Sequence, residues 1–286
     1  MFKKQIKKWK SIVKQKIRDV CEVEKIDESF DALFYFLNNS IDIREFPKAT
    51  GNIRKLQLAD AELLRIFNDV CKKNELDYWL DWGTLLGCIR HKGFIPWDDD
   101  LDVCMPRSDY NRAKSIIPEE FSKIGYNTVI KECIYIYHQQ TGTVIDIFAM
   151  DSVEDENDID ALTAVVEKKL NDSKIKCIKD ALSDNSTSNR PIYLNAPEQV
   201  GRLYIHHPET IFPLSIAAFE GIDLCVPHDA DKYLKVEYGD YMSFPREGIL
   251  KHGNNGPKLY DRAEINNIDM DDFIDKLKAI NVKDLE

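Results

Sequence analysis

This sequence has no long apolar stretch. Its longest uninterrupted run is Ala32–Leu37, far below the roughly 18 residues that a membrane-spanning helix needs. No apolar segment of about 7–15 residues follows the basic N-terminus, so no secretory signal is expected. Cysteine pairs are missing as well. The seven cysteines (Cys21, Cys71, Cys88, Cys104, Cys133, Cys177, Cys225) form no C-x-x-C, and none of the six histidines falls near a cysteine pair at ligand spacing. That removes the common zinc frameworks. An odd number of cysteines, mostly inside apolar runs, fits reduced core thiols in a reducing, cytoplasmic compartment.

Acid is absent from residues 1–18, which hold eight Lys or Arg. The rest of the chain carries 31 basic against 50 acidic residues, a net −19. A body that acidic lacks the positive surface needed to displace counterions, so no nucleic-acid partner is expected. Within the basic segment, Phe2, Ile6, Trp9, Val13 and Ile17 share one face of a helix. Such a helix suits peripheral contact with an anionic membrane, here the inner face, with Trp9 at the interface.

What is present is a mixture of helical and strand patterns. Residues 20–50 read as helix and then a loop ending at Pro47. Apolar residues from Ile53 to Val70 repeat at helical spacing. Tyr78–Leu80, Leu101–Met105, Ile134–Tyr137 and Val144–Phe148 read as strands, the second stopped by Pro106. Helical periodicity returns from Asp158 to about Leu182, followed by a loop-like Ser183–Asn189. Residues 191–260 read as irregular, and Ile265–Val282 as a closing helix. The expectation is an α+β fold with a mixed β-sheet flanked by helices. Its parts are an N-terminal helical extension (1–50), a catalytic core (51–150) and a helical and irregular C-terminal region (151–286) that completes the site.

The chemistry concentrates between Asp81 and Val103. In Asp100-Leu101-Asp102-Val103 a strand would put both carboxylates on one face and both apolar residues on the other. Two such carboxylates repel unless a cation joins them, and a hard cation such as magnesium takes oxygen ligands. Asp146, in Val144-Ile145-Asp146-Ile147-Phe148, is a third candidate, because an unpaired charge amid apolar residues is costly. The alternative, an exposed acidic turn over Asp98–Asp102, is countered by the apolar flanks Pro96-Trp97 and Val103-Cys104-Met105. A calcium loop of the EF-hand type is excluded, since its sixth position is Val103 and its twelfth Asp109. Upstream, Gly83 permits close backbone approach to a phosphate, and the Thr84 hydroxyl can donate to it. Arg90, His91 and Lys92 place three potential cations between that turn and the acids, with Arg90 suited to a bidentate phosphate contact.

The stretch Gly83-Thr-Leu-Leu-Gly-Cys-Ile-Arg-His-Lys-Gly-Phe-Ile-Pro-Trp-Asp-Asp-Asp-Leu-Asp-Val resembles the LicD/fukutin family, whose members have a nucleotidyltransferase-like fold. Val144-Ile-Asp-Ile-Phe, Phe212-Pro-Leu, Phe219-Glu-Gly-Ile and Tyr233-Leu-Lys-Val-Glu-Tyr-Gly-Asp-Tyr-Met extend the likeness over about residues 53–252. Thr84 stands where that fold usually has Gly or Ser. The resemblance implies transfer of phosphocholine, or a related phosphoalcohol such as ribitol phosphate, from a cytidine diphosphate (CDP) donor to a hydroxyl of a glycan or lipid-linked glycan. Asp100, Asp102 and Asp146 would hold magnesium (or manganese), with Asp146 alternatively the general base. Gly83, Thr84, Arg90, His91, Lys92 and Asp98 would bind the donor. Tyr238, Tyr241 and His252 are candidates to shape the alcohol or acceptor pocket. Three rival readings remain at this level: a D-x-D glycosyltransferase using a nucleotide-diphosphate sugar, nucleotidyl transfer from a triphosphate, and a non-catalytic module of the same fold.

Overall fold

The structure is a computed structural model that describes residues 31–165, 172–183, 191–195, 203–244 and 268–284. The basic segment 1–18 and His252 lie outside the described residues.

A seven-stranded mixed sheet forms the centre. Its strands are β1 (Trp79–Leu80), β2 (Asp102–Pro106), β3 (Asn127–Ile130), β4 (Ile134–Tyr137), β5 (Val144–Val153), β6 (Ile192–Asn195) and β7 (Tyr204–His206). The main path runs β1-β2-β5-β4-β3, with β6 pairing β5 and β7 pairing β6. The β2–β5 pair is the one parallel pair among the described strands. A hairpin, β8 (Ser215–Phe219) and β9 (Ile222–Val226), forms a separate two-stranded sheet.

The helices are α1 (Gly51–Lys73), α2 (Trp82–His91), α3 (Arg107–Ser122), α4 (Glu156–Val165), α5 (Asp172–Ser183), α6 (Pro208–Ile211), α7 (Ala230–Tyr238) and α8 (Met270–Lys278), with residues 31–40 also helical and 3-10 turns at Ile43–Glu45 and Val282–Asp284. Of the residues in the predicted periodicity of α1, Ile53 is half-buried, Leu56 is buried, and Leu63, Ile66, Phe67 and Val70 enter the principal core. So do Val103 and Met105 of β2, Ile145 and Ile147 of β5, Tyr233 and Leu234 of α7, and Ile274 and Leu277 of α8. Cys71, Cys88, Cys104 and Cys133 are free and buried, whereas Cys177 is exposed.

Chain beyond residue 191 is more regular than its composition suggests. The described part holds two strands of the main sheet, the β8–β9 hairpin, and α7. These strands are 3–5 residues long, too short for alternation to stand out from noise. Strand β2 starts at Asp102 rather than Leu101, leaving Asp100 in the preceding loop. Strand β5 runs five residues past the predicted end at Phe148, to Val153.

Candidate active site

The site is built at the N-terminus of α2. Asp81 precedes the helix as its N-cap residue, although its side chain makes no capping bond. Trp82 follows at φ 42°, left-handed backbone that a bulky aromatic rarely adopts. At Gly83 a Cβ would lie 2.8 Å from Oδ2 of Asp98. The absent side chain therefore lets a carboxylate sit against the positive end of the helix. Thr84 is buried, and its Oγ1 accepts from the Asp102 N–H at 2.8 Å. The expected phosphate donor thus also ties α2 to β2, while its own O–H remains a donor.

The acidic loop is held from the side by α1. Gln57 Nε2 donates to the carbonyls of Ile95 at 3.2 Å and Asp98 at 2.9 Å. Carboxylate oxygens of Asp98, Asp99 and Asp100 lie within 4.8 Å of one another. Asp102 and Asp146 are register partners across β2 and β5, which sets their backbones about 4.8 Å apart. The Asp146 N–H donates to the Leu101 carbonyl at 2.7 Å, and its Oδ1 is buried without a hydrogen-bond partner. Burial pushes the Asp146 carboxyl up to about 7. Burial, then the charges of Asp100, Asp146, Asp98 and Asp81, raise Asp102 well above the usual carboxylate range. Of the three expected metal residues, Asp102 and Asp146 are joined by strand register, while Asp100 clusters with its neighbours Asp98 and Asp99.

One acid here was not anticipated. Asp60 of α1 is fully buried; its Oδ1 accepts from the Val144 N–H at 3.0 Å, and its Oδ2 has no partner. Burial and then the charges of Asp100, Asp99 and Asp98 raise its pKa well above normal. The available signal was an acid at i+4 from Leu56 on the helix's apolar face.

Arg90, His91 and Lys92 end α2. Arg90 is buried, donating from Nη1 to the Tyr241 carbonyl at 2.8 Å and from Nε to His91 Nε2 at 3.0 Å. Burial lowers Arg90 to about 10, so it stays charged at neutral pH. Burial and the Arg90 charge lower His91 to about 4. Two of the three expected cations therefore remain, and His91 is a neutral acceptor for Arg90. Lys92 is exposed in the left-handed C-cap position.

Around Asp81 lies a second polar cluster with no local sequence signature. Tyr233 OH donates to Asp81 Oδ1 at 3.0 Å. The Asn195 amide donates to Asp81 Oδ2 at 3.1 Å and to Glu237 Oε1 at 2.6 Å. His206 stacks on Tyr233 with centroids 4.0 Å apart, its Nε2 3.7 Å from Glu237 Oε1. Burial and the Glu237 charge raise Asp81 to about 8, and burial raises Glu237 to about 8. Burial lowers His206 to about 4, so it is neutral.

The model for the LicD/FKTN/FKRP nucleotidyltransferase domain matches residues 75–229, which include Asp81, the acidic loop, Asp146, Asn195 and His206. The chain is 42% identical over 96 residues to the lipopolysaccharide cholinephosphotransferase LicD of Haemophilus influenzae, covering 34% of this chain and 35% of that protein. It is 38% identical over 94 residues to an uncharacterized protein of Rickettsia prowazekii, covering 33% and 34%. A second uncharacterized relative, from Rickettsia typhi, is 33% identical over 131 residues, covering 40% and 42%. The matched stretches thus span about a third to two fifths of these curated relatives. With the family model matching more than half of the sequence, this chain belongs to the LicD/FKTN/FKRP nucleotidyltransferase-domain family.

Proposed function

We propose that this protein transfers phosphocholine, or a related phosphoalcohol, from a CDP-alcohol to a hydroxyl of a glycan or its lipid-linked precursor. The observation that carries this reading is the gathering of Asp98, Asp99, Asp100, Asp102 and Asp146 beside the N-terminus of α2, with a buried oxygen of Asp146 left without a partner. The donor set is all carboxylate, which fits a hard divalent cation such as magnesium or manganese. Asp102 and Asp146, with the Asp98–Asp100 loop, would hold it. When bound, such an ion neutralises charge on a diphosphate. The amides opening α2 favour a phosphate oxygen at the same end. The acceptor oxygen would attack the alcohol-bearing phosphorus, and the bond to the cytidine monophosphate (CMP) oxygen would break. The hydroxyl proton would pass to a carboxylate, and where Asp102 and the Asp98–Asp100 loop alone hold the ion, Asp146 would take that role. The name of the Haemophilus influenzae relative, a lipopolysaccharide cholinephosphotransferase, supports phosphocholine and a glycan acceptor.

The test is CMP release from CDP-choline and CDP-ribitol, with magnesium and a lipopolysaccharide acceptor. Acceptor-dependent CMP release supports the reading. Turnover of a uridine or guanosine diphosphate sugar instead would give the site to a glycosyltransferase, and pyrophosphate release from cytidine triphosphate to nucleotidyl transfer. Binding without turnover of any of these would leave a non-catalytic module. No described helix is long and apolar enough to cross a membrane. The basic segment 1–18 is proposed to hold the protein at the inner membrane face, and liposome co-sedimentation unchanged by its deletion would refute that.

A further inference from the structure

Three aromatic rings meet at the helix end that carries the acids. The Trp82 ring lies 5.3 Å from Tyr204, with planes at 71°, and 6.5 Å from Tyr238, with planes at 86°. Two rings nearly perpendicular to a third make a floor and walls, each offering a π face of negative potential. Trp82 and Tyr204 are half-buried and Tyr238 is 40% exposed. Asp81 and Glu237, the sequence neighbours of Trp82 and Tyr238, are buried. Residue 82 is adjacent to Gly83, whose Cα is about 3.8 Å away and whose open face meets Asp98. The aromatic group and the acidic cluster therefore flank one stretch of backbone.

Trp82 carries two costs that folding alone does not explain. Its backbone is left-handed at φ 42°, and its indole N–H is buried without a hydrogen-bond partner. Both are unfavourable in a residue kept for packing. Backbone strain of this kind concentrates where a side chain must face a ligand, and the orphan indole N–H calls for an acceptor, which phosphate oxygens of the donor supply and its ammonium end does not.

We propose that Trp82, Tyr204 and Tyr238 form a box for a quaternary ammonium group, the alcohol end of the donor. This inference rests on the phosphoalcohol reading and narrows it to choline. A trimethylammonium group has no N–H to donate, so π faces suit it better than hydrogen-bond acceptors do. A primary ammonium or a polyol would leave hydrogen-bond donors facing carbon.

The experiment is calorimetric titration of CMP, CDP-choline and CDP-ethanolamine into the full chain and into Trp82→Leu, Tyr204→Leu and Tyr204→Phe. Wild type should prefer CDP-choline to CDP-ethanolamine by about tenfold or more, the scale of one good cation–π contact. Both leucine variants should lose that preference while keeping CMP affinity, and Tyr204→Phe should retain it. CMP affinity reports that each variant is folded, and Tyr204→Leu serves if Trp82→Leu does not fold. Wild-type binding of CMP and both CDP-alcohols without discrimination overturns the box but leaves the phosphoalcohol reading standing. So does a Tyr204→Leu protein that keeps the choline preference. Failure of wild type to bind any of the three overturns both.

Discussion

The hydroxyl of Thr84 accepts the backbone N–H of Asp102 at 2.8 Å, fixing the first turn of α2 to the start of β2. The helix end and the first strand carboxylate are therefore positioned by one bond. Thr84→Ser keeps the acceptor and should retain most stability and activity. Thr84→Val removes it from a buried position, leaving an N–H unpaired at a cost of about 1–3 kcal/mol. Chemical denaturation beside an activity assay reads both. Equal stability of the serine and valine proteins would show that this bond does not hold the turn.

Two glycines of α2 should behave differently when changed to alanine. At Gly87 a new Cβ would lie 2.5 Å from the Gly93 carbonyl oxygen and 3.0 Å from the Ile95 N. Both contacts are backbone, so Gly87→Ala should destabilise by about 1–3 kcal/mol, as overpacking does. At Gly83 the contact is the carboxylate of Asp98 at 2.8 Å, which can swing away. Gly83→Ala should therefore melt close to wild type while losing activity, because Asp98 is displaced. Thermal melts with turnover separate the two, and loss of fold at Gly83 with none at Gly87 would contradict the packing.

The sequence shows the parts of this site more readily than their assembly. The Val144–Phe148 alternation marks a strand with one inward-set acid, and Asp146 is that acid. Its pairing with Asp102, 44 residues away, depends on register, which no local pattern carries. Asp60 is hidden because helical periodicity marks positions as buried without saying what else is buried beside them. Asn195, His206 and Glu237 meet Asp81 only through tertiary contacts between β6, β7, α7 and α2. The β8–β9 turn is atypical too. Glu220 and Gly221 both have positive φ, 49° and 85°, where Asn-Gly is the usual signal. Glu220 is held there by Arg54 at 2.7 Å and Lys48 at 2.7 Å.

Asp81 and Glu237 should make stability depend on pH. Their ordinary values are 3.8 and 4.5, and burial, with the Glu237 charge acting on Asp81, raises both to about 8. The folded state thus keeps protons that the unfolded chain has released. Stability from this pair is full below about pH 4 and is lost as pH rises through about 8. Asp146, raised to about 7, acts in the same direction. His206, lowered by burial from 6.5 to about 4, opposes the trend up to about pH 6.5, where the unfolded imidazole binds a proton that the folded one does not; wild type and a protein with both carboxyls replaced carry this contribution alike. The Asp81→Asn/Glu237→Gln protein should therefore show a shallower fall in melting temperature from pH 5.5 to about 8.5, though not a flat one. Wild-type and double-variant curves that run parallel would show that neither carboxyl holds a proton.

Asp146 gives the sharpest separation between a ligand and a structural acid. In chelator its carboxylate stands beside Asp102 with one buried oxygen unpartnered, so ionisation is opposed by burial. Asp146→Asn removes that opposition and should raise the melting temperature of the chelated protein. Magnesium at about 100 times its dissociation constant should stabilise wild type by about 2.7 kcal/mol, and the variant by clearly less. Activity should fall by orders of magnitude, since a missing carboxylate weakens charge neutralisation on the diphosphate. Melts with chelator and with magnesium decide the matter. A variant that melts lower in chelator yet keeps the full magnesium gain would make Asp146 a packing residue and leave the ion to Asp102 and the Asp98–Asp100 loop.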